Sequence, residues 1–148
     1  MAGKNDAFEH SFMLHIFNGT AITNWNTTGG TTTVWVGLHT ADPGDAGSTA
    51  NEGGYTAYTR VSSQRAVASG WTVTSGTSSA VASASPTAAL SFPQVATTTT
   101  GTFSYFSVFP SSNAAGSAAI YSGAISPVIN WSQNTTPSIT TASSITED

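Results

Sequence analysis

The chain predicts an all-β fold, a β-sandwich or jelly roll in one domain with a short N-terminal α-helix, and three observations predict it. Short runs rich in β-branched and aromatic residues recur at regular spacing, divided by Gly, Pro, Asn and Ser turn signals. The run from Thr33 to His39 alternates cleanly, with Val34, Val36 and Leu38 on one face and Trp35 and His39 on the other. Neither a regular α–β alternation nor an internal repeat of roughly 20–50 residues is present. The 148 residues suit a single domain, with a helix and arm over residues 1–19 and the sandwich over residues 33–141.

Composition narrows the function classes. Only 7% of residues are charged while 10% are aromatic. The aromatics argue against disorder, and the scarcity of charge leaves the surface poorly protected against association. Lys4, Arg60 and Arg65 are the only Lys and Arg residues, too few and too scattered for a nucleic-acid surface. Cysteine is absent, so neither a disulfide framework nor a thiolate zinc site is available. No apolar run is long enough to cross a membrane, and no signal peptide is expected from the N-terminus.

Residues 6–17 form the one convincing helix. Asp6 and Glu9 fit a capping box, Phe8, Phe12 and either His15 or Ile16 share a face, and Asn18-Gly19 ends the pattern. Residues 20–32 read as a polar loop containing Trp25. The strand Thr33–His39 runs into a long turn-rich loop, in which Pro43 presets φ and Gly44 and Gly47 tolerate positive φ. Further strands are expected at Tyr55–Val61, Trp71–Thr74, Ala88–Phe92, Thr102–Phe109 and Ala118–Ile125, with late ones at Val128–Trp131 and Ser138–Thr141. The Ser/Ala-rich residues 75–87 read as a loop or arm. Thr102–Phe109 is apolar on both faces, which marks a central strand or one covered by another subunit.

No catalytic constellation accompanies this framework. His39, Asp42 and Asp45 form the nearest acid–base cluster, and turn chemistry explains each of them. Asp42, Asp45, Asn51 and Glu52 offer hard oxygens for calcium, but not at EF-hand spacing. His10 and His15 are five positions apart and do not share a helical face as a metal pair would. No cofactor or metal is therefore expected. Trp25, Tyr55, Tyr58 and Trp131 either anchor an interface, stack on sugars or close one end of the core. Arg60 and Arg65 pair with an acid on a neighbour or on this chain.

The order of these pieces resembles a family of small tailed-bacteriophage virion proteins. The residues that carry it are V-W-V-G-L-H-T-A-D-P-G-D, then A-N-E-G-G-Y-T-A-Y-T-R-V, L-S-F-P-Q-V, F-S-Y-F-S-V-F and A-A-I-Y-S-G-A-I. The segment Leu38 to Arg60 is the most specific part. Members of that family are often labelled tail fibre proteins, and similar small β proteins serve as capsid cement or decoration proteins. The chain departs from the family pattern in a shorter linker before Gly53-Gly54-Tyr55 and at Ser107-Val108-Phe109-Pro110.

The resemblance implies a virion structural protein without enzymatic activity. A capsid cement or decoration protein on the outer head surface is expected, bridging major capsid protein subunits and stabilising the shell by mass action. The tail-fibre or adhesin role is the alternative. The expected partners are the major capsid protein and copies of the chain itself in a dimer or trimer, with neither nucleic acid nor membrane. Candidate interface residues are Phe8, Phe12, Ile16, Trp25, Asp42, Asp45, Tyr55, Tyr58, Arg60, Arg65 and Trp131.

Overall fold

The computed structural model describes residues 3–4, 6–18, 33–65, 69–74, 82–112 and 118–147. Trp25 and the rest of the polar loop lie outside the described residues, as does the Ile16 side chain. The fold is all-β with one short helix, as the sequence predicts. Strand β1 (Gly3–Lys4) precedes helix α1 (Asp6–Asn18). Then come β2 (Thr33–His39), β3 (Val61–Gln64), β4 (Trp71–Thr74), β5 (Ala82–Pro86) and β6 (Leu90–Ser91). The chain ends with β7 (Gly101–Phe109), β8 (Tyr121–Trp131), β9 (Ser138–Ile139) and β10 (Ile145–Glu147).

The main sheet is antiparallel in the order β1-β8-β7-β2-β3. Its centre is β7, so the most apolar strand of the sequence has a neighbour on each edge. A second sheet has the order β10-β5-β4, and β6 pairs with β9 in a third. Register sorts the two faces of the main sheet, because directly paired residues point to the same side. Val36 opposes Val108 and Leu38 opposes Phe106, and these four side chains belong to the main core with Phe92, Val95, Phe103 and Trp131. Trp71 of β4 and Ile145 of β10 pack against that core, which places the second sheet over this face. On the opposite face, Trp35 pairs with Phe109 and Gly37 with Ser107.

Three sequence expectations are corrected. Tyr55–Val61 is not a strand; β3 starts only at Val61, and Tyr58 N–H closes a turn on the Tyr55 carbonyl at 3.0 Å. The expected strands Ala118–Ile125 and Val128–Trp131 are largely one, the 11-residue β8. Pro127 is tolerated there because the β7–β8 register breaks between the pairs Tyr105–Ala124 and Phe103–Ile129, where no ladder N–H is required. The Ser/Ala-rich stretch contains β5, which pairs Ser83, Ala84, Ser85 and Pro86 with β4.

Candidate functional site

The sequence turns from β2 into the loop Thr40–Thr59, and the structure folds that loop back along the outer edge of β2. Strand β3 covers this edge only from Thr33 to Val36. Past that point the backbone groups of β2 need other partners, and the loop supplies them. Leu38 N–H donates to the Tyr58 hydroxyl at 2.6 Å, and the Leu38 carbonyl accepts from Gly53 N–H at 2.9 Å. Thr40 N–H donates to the Asn51 carbonyl at 3.0 Å, and His39 bridges Glu52 in antiparallel fashion. At the tip, Gly44 N–H donates to Asp42 Oδ1 at 2.9 Å, so Asp42 is spent on its own turn.

The fold-back brings Glu52 and Arg60 together in the interior. Arg60 Nε donates to Glu52 Oε1 and an Arg60 terminal nitrogen to Oε2, each at 2.7 Å, a bidentate pair. The side chains are 1% and 4% exposed for Arg60 and Glu52. The other terminal nitrogen of Arg60 donates to the Ser111 carbonyl at 3.0 Å, and the guanidinium lies 3.2 Å above the centre of the Phe109 ring. One small residue makes room for this. A Cβ on Gly37 would stand 2.7 Å from Glu52 Oε1 and 2.9 Å from the Phe109 ring. Gly53, at a φ of 75°, lets the chain turn under Tyr58, whose ring would meet any Cβ there at 2.7 Å. The pair thus bolts the loop to β2 and to the connection after β7.

Beside it, Tyr55, Tyr58, Phe92, Phe103 and Trp131 form an aromatic cluster. The Tyr55 ring is 5.4 Å from Trp131 and 6.3 Å from Phe103, and the Tyr58 ring lies 5.9 Å from Phe92. The Tyr55 hydroxyl donates to the Pro93 carbonyl at 2.7 Å. Burial pushes the Tyr58 phenol well above its usual range and Tyr55 upward too.

His39 is fully buried, its ring stacked 6.2 Å from Phe109, and neither ring nitrogen has a hydrogen-bond partner among the described residues. Burial lowers its pKa, the Glu52 carboxylate opposes that shift, the Arg60 guanidinium reinforces it, and Asp42 opposes it. The unfolded chain takes up the proton near pH 6.5 and the folded chain only at lower pH. Stability is therefore level with respect to this group above about pH 6.5 and falls as pH drops toward the lowered folded value. Urea unfolding between pH 5 and 8 is expected to show a shallower pH dependence for His39→Leu than for the native chain. An unchanged slope would remove His39 from the account.

The candidate residues divide sharply. Tyr55, Arg60 and Trp131 are buried and Tyr58 is half-buried, all within this chain's own interior. Arg60 takes its acid from this chain. Asp42, Asp45 and Arg65 are exposed, Phe12 is 42% exposed and Phe8 stacks on it at 6.4 Å. Among the described residues, no three His, Asp or Glu side chains are gathered as a metal would need. Sequence reasoning missed the Glu52–Arg60 pair, because a turn at Tyr55–Tyr58 brings the two together and no local periodicity announces that turn. The signal was Gly37, a bare position inside an otherwise bulky strand, which marks a close approach.

No curated protein matches the chain. A family model described as podophage GP4 fiber I protein gp80 matches residues 3–146, which takes in the helix, the folded-back loop and nearly every strand residue. The chain belongs to this podophage GP4 fiber I protein family and is a bacteriophage virion structural protein.

Proposed function

We propose that the chain is a structural module of the tail fibre. The observation that carries this reading is the near-complete match to a family described as a fibre protein, and on it the fibre role takes precedence over capsid cement. The site geometry supports a mechanical part. Both carboxylate oxygens of Glu52 and all three guanidinium nitrogens of Arg60 are occupied by partners inside the fold. Such a cluster fastens a loop; it presents neither a nucleophile nor a general acid to a substrate. The module works without catalysis or cofactor, and the surface left for contact includes the largely exposed tip from Asp42 to Asn51.

The reading is tested on particles. Gold-labelled antibodies against the chain, viewed on intact virions, are expected to mark the tail end. Label spread over the head would overturn the fibre assignment and return the capsid-cement role.

A further inference from the structure

His39 ends β2 fully buried, with neither ring nitrogen partnered among the described residues. Ser107, buried on the same face of the main sheet, leaves its own hydroxyl unpartnered rather than bonding the ring. A buried polar group without a partner costs stability, and this one sits against the most highly charged spot in the interior.

The charges around His39 balance only while its ring is neutral. The loop brings the Glu52 carboxylate and the Arg60 guanidinium, which neutralise each other. It also brings the Tyr58 phenol, bonded to Leu38 N–H. Asp42 belongs to the exposed tip and is held by its own turn. From β7, Tyr105 pairs with His39 and Phe109 stacks on it, and neither brings a carboxylate. A proton on His39 would set a second cation beside one buried carboxylate whose two oxygens Arg60 already holds.

The segment that closes over this cluster is lightly held. From Thr40 to Asn51 only Pro43 and Gly47 are buried, and segments with few buried contacts open first. Its return side is fastened to β2 by Thr40 N–H on the Asn51 carbonyl, by Gly53 N–H on the Leu38 carbonyl and by the Glu52–Arg60 pair. Beyond it, Gly53 at positive φ and Gly54 form a natural pivot. Tyr55 and Tyr58 follow, their rings anchored in the aromatic cluster.

We propose that the arm from Thr40 to Gly53 is an acid-sensitive latch: protonation of His39 breaks the Glu52–Arg60 pair and lifts the arm off β2, while the sheets and the aromatic cluster stay folded. Opening admits water to the imidazole and the carboxylate and reshapes the exposed tip. Burial lowers the His39 pKa in the closed form, so on acidification the open form takes up the proton first, near the ordinary value of 6.5. Acid therefore draws the arm open.

Amide exchange of the purified native chain, followed by NMR and corrected for the intrinsic pH dependence of exchange, tests this. The opening constants at Thr40 and Gly53 are expected to rise by up to about tenfold between pH 7.5 and 5.5, the limit for one proton taken up on opening. They should exceed those of Phe106 and Val108 in β7 and depend little on added urea, as a local opening does. His39→Leu is expected to abolish the rise. His10→Gln combined with His15→Gln, which leaves His39 as the sole histidine, is expected to keep it, and this chain carries the test even if His39→Leu does not fold. A native chain without the rise, a folded His39→Leu chain that keeps it, or its loss on removing His10 and His15 would each overturn the proposal. So would opening constants at Thr40 and Gly53 that equal those of β7 at every urea concentration. All of these readouts use purified protein, so they stand or fall independently of where the chain sits on the virion.

Discussion

Arg60→Ala is expected to destabilise the fold by about 3–5 kcal/mol, the cost of stranding a buried charge. Glu52 would keep its carboxylate in the interior, 4% exposed, with its bidentate partner gone. The Ser111 carbonyl would lose a donor, and the Phe109 ring its overlying guanidinium. In a domain of this size the melting temperature should drop on the order of 10 °C. The pair acts as a unit, so Glu52→Ala added to Arg60→Ala should cost far less than it does alone. Glu52→Leu combined with Arg60→Met should recover much of the loss, since well-packed apolar groups often replace a buried pair without penalty. Urea unfolding of the single and double variants measures this coupling. Additive losses would mean that the two side chains do not depend on each other.

Phe103→Ala should cost a comparable amount, about 3–5 kcal/mol, through lost transfer energy and the cavity left behind. Phe103 is fully buried and touches three other rings, with Tyr55, Tyr58 and Trp131 at 6.3, 6.0 and 5.9 Å. Two of those rings belong to the folded-back loop, so the cavity loosens the loop as well as the sheet. Phe17→Ala is the matched control. It removes the same ring from a position 72% exposed, and in the isolated chain it should change stability by no more than about 0.5 kcal/mol. A Phe103→Ala variant as stable as the control would show that the aromatic cluster is not the core of this fold.

What was legible in the sequence was whatever rests on local periodicity. The alternation of Val34, Val36 and Leu38 identified β2, the two-faced apolar run marked β7 as a strand central or covered by another subunit, and the spacing of the phenylalanines identified α1. Long-range pairing was not legible. Tyr55 and Tyr58 alternate with polar neighbours in a way that resembles a strand, but their separation of three lets a turn drop both rings into one core. Strand β5 is built from Ser and Ala with a closing Pro86, residues of low strand preference, and exists because β4 and β10 pair with its two edges. Pro127 read as a terminator because a proline normally ends a ladder; in β8 it falls where the ladder is already broken.

The site shows the same division. The turn chemistry of Asp42, Pro43 and the glycines at positive φ, Gly44 and Gly47, was readable from residue type alone. The role of the segment from Leu38 to Arg60 was not. Its aromatics and its arginine have the composition of an interface, and burial decides against that use: the same side chains that would anchor a partner close this chain's own interior. The sequence shows which residues are valuable, and only the fold-back shows which side of the surface they occupy.

The proposed function makes this β domain, held together from within, a fibre component of the virion. Its most direct test is the copy number of the chain per particle against the major capsid protein, by quantitative mass spectrometry of purified virions. A handful to a few tens of copies, the complement of a tail appendage, is expected. A ratio near one, or a simple fraction such as one half or one third, would tie the chain to the capsid lattice and contradict it.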